Sequence, residues 1–405
     1  MRVLLFEPKY VGHFIGFAAV TAQAFSQLGC EVSLVFPVDA ADSDQARIKL
    51  AELPNNVDVR YTIDVPKLYK RWQNAEFETE ALSLVLDEVP TDHLVIPSGD
   101  FVLSGLLKRG RLRRRLKALG GVDLVLHHCH QVYPEMGIRQ RCKCFLDRMA
   151  VSLVRGIRLM TVDPYATSSD SVSHMAIWGN PVQPLAHFRE EPCEVHNQQE
   201  ARASLALPAT GKLLGSIGDL GRRKGTELLI ESFARSAPGP NDYLVLFGIL
   251  SGTAKQELQR HAQLVEQGRI ITRDQFVSDN EFHQFFSAMD AIWTGFPHQI
   301  GIASTQLYAA EAGRPVISSD YGAVGWLTKE YGLGRTFPGN TSAMTEAISW
   351  FYRQEDWQPD PKGIERLLSY HTTENFNDQM TRAVRQRMTK SATPSPVDGI
   401  KEGAL

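Results

Sequence analysis

Between Leu213 and Phe233 the chain reads LLGSIGDLGRRKGTELLIESF. The apolar residues Leu213, Leu214 and Ile217 lead into a loop with Gly215, Gly218 and Gly221. Arg222-Arg223-Lys224-Gly225 follows, and Leu228, Leu229 and Phe233 then recur at helical spacing. A strand feeding a glycine-rich turn and a helix start can hold an anion. The glycines let the backbone approach, free N–H groups face the ligand, and the helix dipole favours negative charge. Two arginines and a lysine at the mouth suit a diphosphate, which carries more charge than a helix end alone neutralises. A solvated turn of any α/β protein has the same look, so this stretch alone leaves both readings open.

A second set of polar residues lies in the first half. Gly12-His13 follows the apolar run Arg2 to Phe6 and precedes an apolar helix, Ile15 to Leu28; His13 either caps that helix, fills space or touches a ligand. Val122 to His128 reads as a strand running into Cys129-His130-Gln131. Alternation puts His128 and His130 on one face and His127 on the other. No carboxylate or cysteine accompanies them at metal-ligand spacing, so one or two read as pocket residues that hydrogen-bond a polar substrate.

These groups need a scaffold, and 405 residues suggest two cores. The composition is 43% hydrophobic and 22% charged, that of a soluble globular protein, and the net charge of −3 argues against nucleic acid as the main partner. No apolar run is long enough to span a bilayer. The N-terminus starts directly as a strand without a signal peptide's cleavage site, and five scattered cysteines suit a reducing, cytoplasmic setting. Strands are expected at Arg2 to Phe6, Glu31 to Phe36, His93 to Pro97, Val122 to His128, Ile157 to Val162 and His174 to Trp178. The second half repeats the alternation: Leu213, Tyr243 to Gly248, Arg269 to Thr272, Ala291 to Thr294 and Pro315 to Ser318, with a helix from Gly301 to Ala312. Such alternation in both halves predicts an α/β protein of two doubly wound Rossmann-like domains facing a cleft.

One further stretch is charged out of proportion. Residues 106–119, LLKRGRLRRRLKAL, are basic and amphipathic. They read either as a solvated helix face or as a docking surface for anionic lipid at the inner membrane face.

The second half resembles the donor-binding domain of family 4 glycosyltransferases, which have the GT-B fold. Gly179-Asn180-Pro181, Arg202 to Pro208 and Ile217-Gly218 through Lys224-Gly225 look like the family's junction, lead-in and donor-diphosphate loop. Gln275-Phe276-Val277-Ser278-Asp279, Ser287 to Asp290 and Ala309 to Ile317 follow in the family's order. The resemblance implies a glycosyltransferase, retaining and metal-independent, with a nucleotide-sugar as donor substrate and no cofactor. It implies Arg223 and Lys224 at the leaving group, with His130 beside the acceptor. Gly218, Arg222, Gln275, Phe276, Gly301, Ser304, Thr305 and Tyr308 would line the donor, and Gly12, His13 and His128 the acceptor side. The family brackets the donor sugar with two glutamates, and here Ile300 and Tyr308 occupy those positions. A non-catalytic protein of the same fold therefore stands as the alternative.

The expected organisation is a first domain over 1–182 completed by a helix in 364–390, a donor domain over 183–358, and a disordered tail over 391–405. Phe376, Met380 and Val384 give that final helix an apolar stripe, and the family returns its last helix to the first domain. Pro359 to Gly363 would supply the crossing turn.

Overall fold

Long apolar runs separated by helices fold here into two parallel sheets. In the computed structural model, which describes residues 1–10, 13–64, 75–127, 129, 138–139, 142, 145–146, 149, 156–168, 182–188, 192–297, 299–354 and 357–392, thirteen strands are described. The first sheet holds β1 (Arg2–Phe6), β2 (Glu31–Pro37), β3 (Val57–Ile63), β4 (His93–Ile96), β5 (Gly121–Leu126), β6 (Ile157–Thr161) and β7 (Gln183–Pro184). Their order is β3-β2-β1-β4-β5-β6-β7. The second holds β8 (Lys212–Ile217), β9 (Asp242–Phe247), β10 (Ile270–Arg273), β11 (Ala291–Thr294), β12 (Val316–Ser319) and β13 (Gly334–Phe337), in the order β10-β9-β8-β11-β12-β13. Central strands such as β1 and β8 are buried on both faces, which is why they read as unbroken apolar runs. Each sheet reverses its strand order once, between β1 and β4 and between β8 and β11. In doubly wound sheets ligands bind outside the carboxyl ends of the strands at that reversal.

Two compact units result. One comprises the described residues of Met1–Leu124, Leu153–Arg158 and Glu374–Leu405; the other comprises those of Val125–Ser152 and Leu159–Thr373. The last helix, Thr373–Ala392, thus packs in the first unit. Phe376, Met380 and Val384 are wholly buried, and Phe376 meets Phe17 edge-on with centroids 5.1 Å apart. Arg158 fixes it further. Its guanidinium donates to the carbonyls of Gln379 and Met380 at 3.0 and 2.6 Å and pairs with the buried carboxylate of Asp123. Asp123 also takes a 3.0 Å hydrogen bond from His93 Nε2, and His93 Nδ1 accepts from Arg387 on the final helix. Since arginine only donates, the partners assign the His93 proton to Nε2. Burial pushes the Asp123 carboxyl up, but His93 and Arg158 outweigh it and hold it below the usual carboxylate range.

The Pro359 to Gly363 stretch departs from expectation. Asp360 caps a helix, Pro361–Tyr370, in which Pro361 stands at the first turn, where its missing N–H costs nothing. That helix stays in the second unit, so the chain passes to the first unit after it, at Thr373. The helix expected from Gly301 begins instead at Ser304, because Gly301 has φ +83°, incompatible with a right-handed turn. The expected strand at 174–178 and the tail beyond Ala392 lie outside the described residues. Among those described, no helix is long and apolar enough to cross a membrane.

Candidate active site

The carboxyl end of β8 delivers the chain to Gly218, whose φ of +102° only glycine adopts freely. Gly248, after β9, lies against it: a Cβ there would stand 1.9 Å from the Gly218 carbonyl oxygen. Two glycines thus permit a backbone contact that seats the loop. Arg222–Lys224 form a single 3-10 turn, closed by Gly225 at φ +64°, and the helix Thr226–Arg235 follows, as the spacing predicted.

The three cations of this turn differ in environment. Arg222 and Arg223 are exposed, whereas Lys224 is 7% exposed and its Nζ donates to the Ile217 carbonyl. Burial lowers the Lys224 ammonium to about 8; Arg223 pushes the same way and Asp219 opposes. Arg223 reaches Gln299 Oε1 at 3.0 Å, and a Cβ on Gly225 would meet Pro297 at 2.9 Å. The loop after β8 and the loop after β11 are therefore joined at the strand reversal. Gln299 is the member of this pairing that sequence reasoning missed, because a lone glutamine 76 residues away carries no pattern.

Farther along the second loop, Gly301 is buried, and Ser304 opens the helix Ser304–Glu311 without a side-chain cap from Ala303. Thr305 Oγ1 is buried with no hydrogen-bond partner. Tyr308 turns toward the core: its ring packs edge-on against Phe282 at 4.9 Å and near His283 and Phe286. Glu311 accepts the Cys193 N–H at 2.9 Å. Gln275 and Phe276 sit on the loop after β10, with the Phe276 ring 82% exposed.

Of the acceptor-side candidates, His13 is an exposed residue at the start of the helix His13–Gln27, with its ring 4.2 Å from Phe14. Gly12, His128 and His130 lie outside the described residues. The basic stretch 106–119 forms a short turn and the helix Gly110–Ala118, burying Leu112 and Leu116. Much of its charge is met by the helix Ala75–Glu88: Lys108 pairs with Glu76, Arg109 with Glu80 and Arg115 with Asp87. Arg113 caps the preceding turn through the Leu106 and Leu107 carbonyls. Acids at helical spacing thirty residues upstream were the signal that the sequence reading passed over.

Residues 197–363 match the family model described as glycosyl transferases group 1. No curated protein matches the chain. Among solved structures, sucrose-phosphate synthase from Thermosynechococcus elongatus is similar at 17% identity and a TM-score of 0.66, covering 96% of this chain and 99% of that one. Anabaena HepE, solved in complex with UDP, is similar at 14% identity and 0.63, covering 96% and 100%. WaaG, a glycosyltransferase involved in lipopolysaccharide biosynthesis, gives 15% identity and 0.63, covering 95% and 99%. The shared architecture spans both Rossmann-like units, and the matched segment contains the whole of the cationic loop described above. Residues 197–363 are similar to the group 1 glycosyl transferases, and the chain has the GT-B fold of these solved structures.

Proposed function

We propose that the chain moves a sugar from a nucleoside-diphosphate-sugar to an acceptor hydroxyl, with retention, and that Arg222, Arg223 and Lys224 meet the leaving diphosphate without a metal ion. The observation that carries this is the buried Lys224 ammonium, set in a strand–loop–helix turn at the reversal of the second sheet. Breaking the anomeric C–O bond builds negative charge on the diphosphate. Fixed cations in a desolvated site stabilise that charge most, at about 3 kcal/mol for one such donor. Gly218 lets the phosphates approach the backbone, and Thr305 Oγ1 offers a buried hydroxyl that lacks a partner in the free protein. Phe276, an exposed ring at the end of β10, suits the face of a nucleobase. HepE has been solved with UDP, UDP and glucose, and UDP-glucose, so a uridine donor is the first to test.

The second reading, a nucleotide-binding protein without turnover, draws on one observation. Tyr308, at the position of a family glutamate, turns its ring into the aromatic core. For 106–119, ion pairing limits contact with anionic lipid to Arg111, Arg114 and Lys117, which have no ion pair among the described residues.

The test is a thermal-shift panel of UDP, GDP, ADP and dTDP and their sugars, followed by donor turnover with EDTA present. Wild type should gain stability with one nucleotide family, and Arg223→Ala and Lys224→Ala should lose both that gain and turnover while keeping the fold. Wild-type nucleotide affinity in both variants would refute the loop's assignment; binding without turnover would establish the second reading.

A further inference from the structure

A cavity of about 260 Å³ opens at the amino ends of the second sheet's strands, the opposite edge from the cationic loop after β8. Lys212, Ala291 and Val316, the first residues of β8, β11 and β12, line one side. Trp350 and Phe351, in the last turn of the helix Thr341–Arg353, and Trp357 beyond it line another. The two tryptophans meet edge-on with centroids 6.0 Å apart. The whole cavity lies within the second unit.

Charge on this lining is answered unevenly. Asp290 is fully engaged: its Oδ2 accepts from Arg202 at 2.6 Å and from the Leu213 N–H at 2.7 Å, and its Oδ1 from Gln198 Nε2 at 3.0 Å. Arg314 is half-buried and donates to the Ser287 carbonyl at 2.8 Å, but has no ion pair among the described residues. Burial lowers its guanidinium, with Asp290 opposing and Arg202 adding. Lys212 Nζ donates to the Phe351, Tyr352 and Gln354 carbonyls, so its charge offsets the negative end of that helix. Arg335 stands over the Trp350 ring at 4.6 Å, again without an ion pair among the described residues. Cations gathered here lose hydration that backbone carbonyls restore only in part.

Size then limits what completes them. A cavity of about 150 Å³ admits a bare benzene ring, and drug-sized ligands take about 300 Å³ and more. The volume here fits one six-membered ring with one substituent and excludes a nucleoside-diphosphate-sugar. We infer that this cavity is a second ligand site, and that its ligand is a small phosphomonoester bearing one ring, the phosphate facing Arg314 and Lys212 and the ring lying against the tryptophans. Such a phosphate carries a charge of about −1.5 to −2 at neutral pH and three acceptor oxygens, which answers more than one cation and suits a guanidinium fork. Indole accepts either the face of an aromatic ring or the C–H groups of a sugar ring, so both ring chemistries share the site. The inference does not depend on the transferase reading, since no described residue of the loops after β8 and β11 lines the cavity.

The test is calorimetric titration of the full chain at neutral pH with phenyl phosphate, glucose-6-phosphate, inorganic phosphate, benzyl alcohol and benzylamine. At least one ring ester should bind at or below about 1 mM, about fivefold tighter than inorganic phosphate and tenfold tighter than the neutral and cationic rings. Preference for phenyl phosphate identifies an aromatic ligand, and preference for glucose-6-phosphate a sugar phosphate. Arg314→Gln should weaken the ester about tenfold or more. Trp357→Ala should weaken it about fivefold while leaving inorganic phosphate unchanged. Arg314 also holds the Ser287 carbonyl, so Trp357→Ala decides the matter should Arg314→Gln fail to fold. The double variant Arg223→Ala, Lys224→Ala should bind the ester as wild type does, whatever becomes of its nucleotide affinity. The inference is overturned if neither ring ester binds, if benzyl alcohol or benzylamine binds as well, or if Trp357→Ala or folded Arg314→Gln keeps wild-type affinity. Loss of ester binding in the double variant would also overturn it, by returning the phosphate to the donor loop.

Discussion

Nucleotide binding should draw a proton from solution near pH 8, because Lys224 is held in an environment that opposes its charge until a phosphate arrives. The ammonium falls from 10.5 to about 8, chiefly through burial and then through Arg223. That displacement corresponds to roughly 3 kcal/mol against the charged form. A diphosphate supplies the missing counter-charge and lifts the value again. The unliganded protein is then half deprotonated at this lysine at pH 8, so binding should take up ~0.5 proton there, ~0.1 at pH 7 and nearly one by pH 9. Affinity should fall up to about tenfold per pH unit above 8, until the value in the complex is passed. Phosphate itself, with its second ionisation near about 6, is fully charged below this window and does not mimic the effect. Calorimetric titration of UDP in pairs of buffers with different ionisation heats, at pH 7, 8 and 9, reads the proton count directly. Without nucleotide the sign reverses: the unfolded chain holds more protons between pH 8 and 10.5, so folding stability rises with pH there. Buffer-independent heats at pH 8 together with a flat affinity from pH 7 to 9.5 would refute the contact between Lys224 and the diphosphate.

Glu7→Gln should stabilise the protein at alkaline pH. Burial raises this carboxyl from 4.5 to about 8 despite opposition from Lys9 and Ser98, so the folded state holds the extra proton and wild type loses stability as pH climbs through that interval, by up to about 5 kcal/mol. Glutamine mimics the protonated form, accepting from Lys9 N–H and donating to Ser98 Oγ; urea unfolding at pH 5 and pH 8.5 should show a gain only at the higher pH, and equal gains or none would contradict it. Arg158→Met should cost about 3–5 kcal/mol by leaving Asp123 buried without its guanidinium, and hydrogen exchange should rise across 373–389; a loss under about 1 kcal/mol would show that the network does not hold the last helix.

The central strands and the glycine-rich turn after β8 were legible because burial on two faces writes a continuous apolar run, and the positive φ at Gly218 and Gly225 calls for glycine. The edge strands were not. β3 (VDVRYTI) and β13 (GRTF) border their sheets, are only partly buried and carry charge, so no apolar run announces them. Proline misled at position 361, where it begins a helix that its usual role as a breaker suggested was absent. The final helix was read correctly from Phe376, Met380 and Val384, since a four-residue repeat of apolar side chains requires a surface to cover it. Glu7 carries no local sign of burial in the sequence. Its burial depends on Ser98 and on a helix seventy residues later, contacts that no local pattern records.

Buried charge in this chain falls into two kinds, and the difference separates scaffold from site. Asp123 is enclosed with every partner present: His93 and Arg158 bond it, Arg158 bonds two helix carbonyls, and Arg387 closes the other face of His93. A network satisfied in the free protein has no need of a ligand, and its removal should affect folding first. Lys224 and Glu78 are enclosed without such completion. Lys224 has one backbone carbonyl and a neighbouring arginine that repels it, and Glu78 has neither oxygen met. Other buried atoms lack partners too: Trp293 Nε1 and Gln306 Oε1 belong to neutral side chains, and Arg269 and Arg314, unmet at Nε, each donate to a backbone carbonyl through another nitrogen. Lys224 stands at the β8/β11 reversal of the second sheet, and Glu78 lies near Glu7 and Lys9, which follow β1.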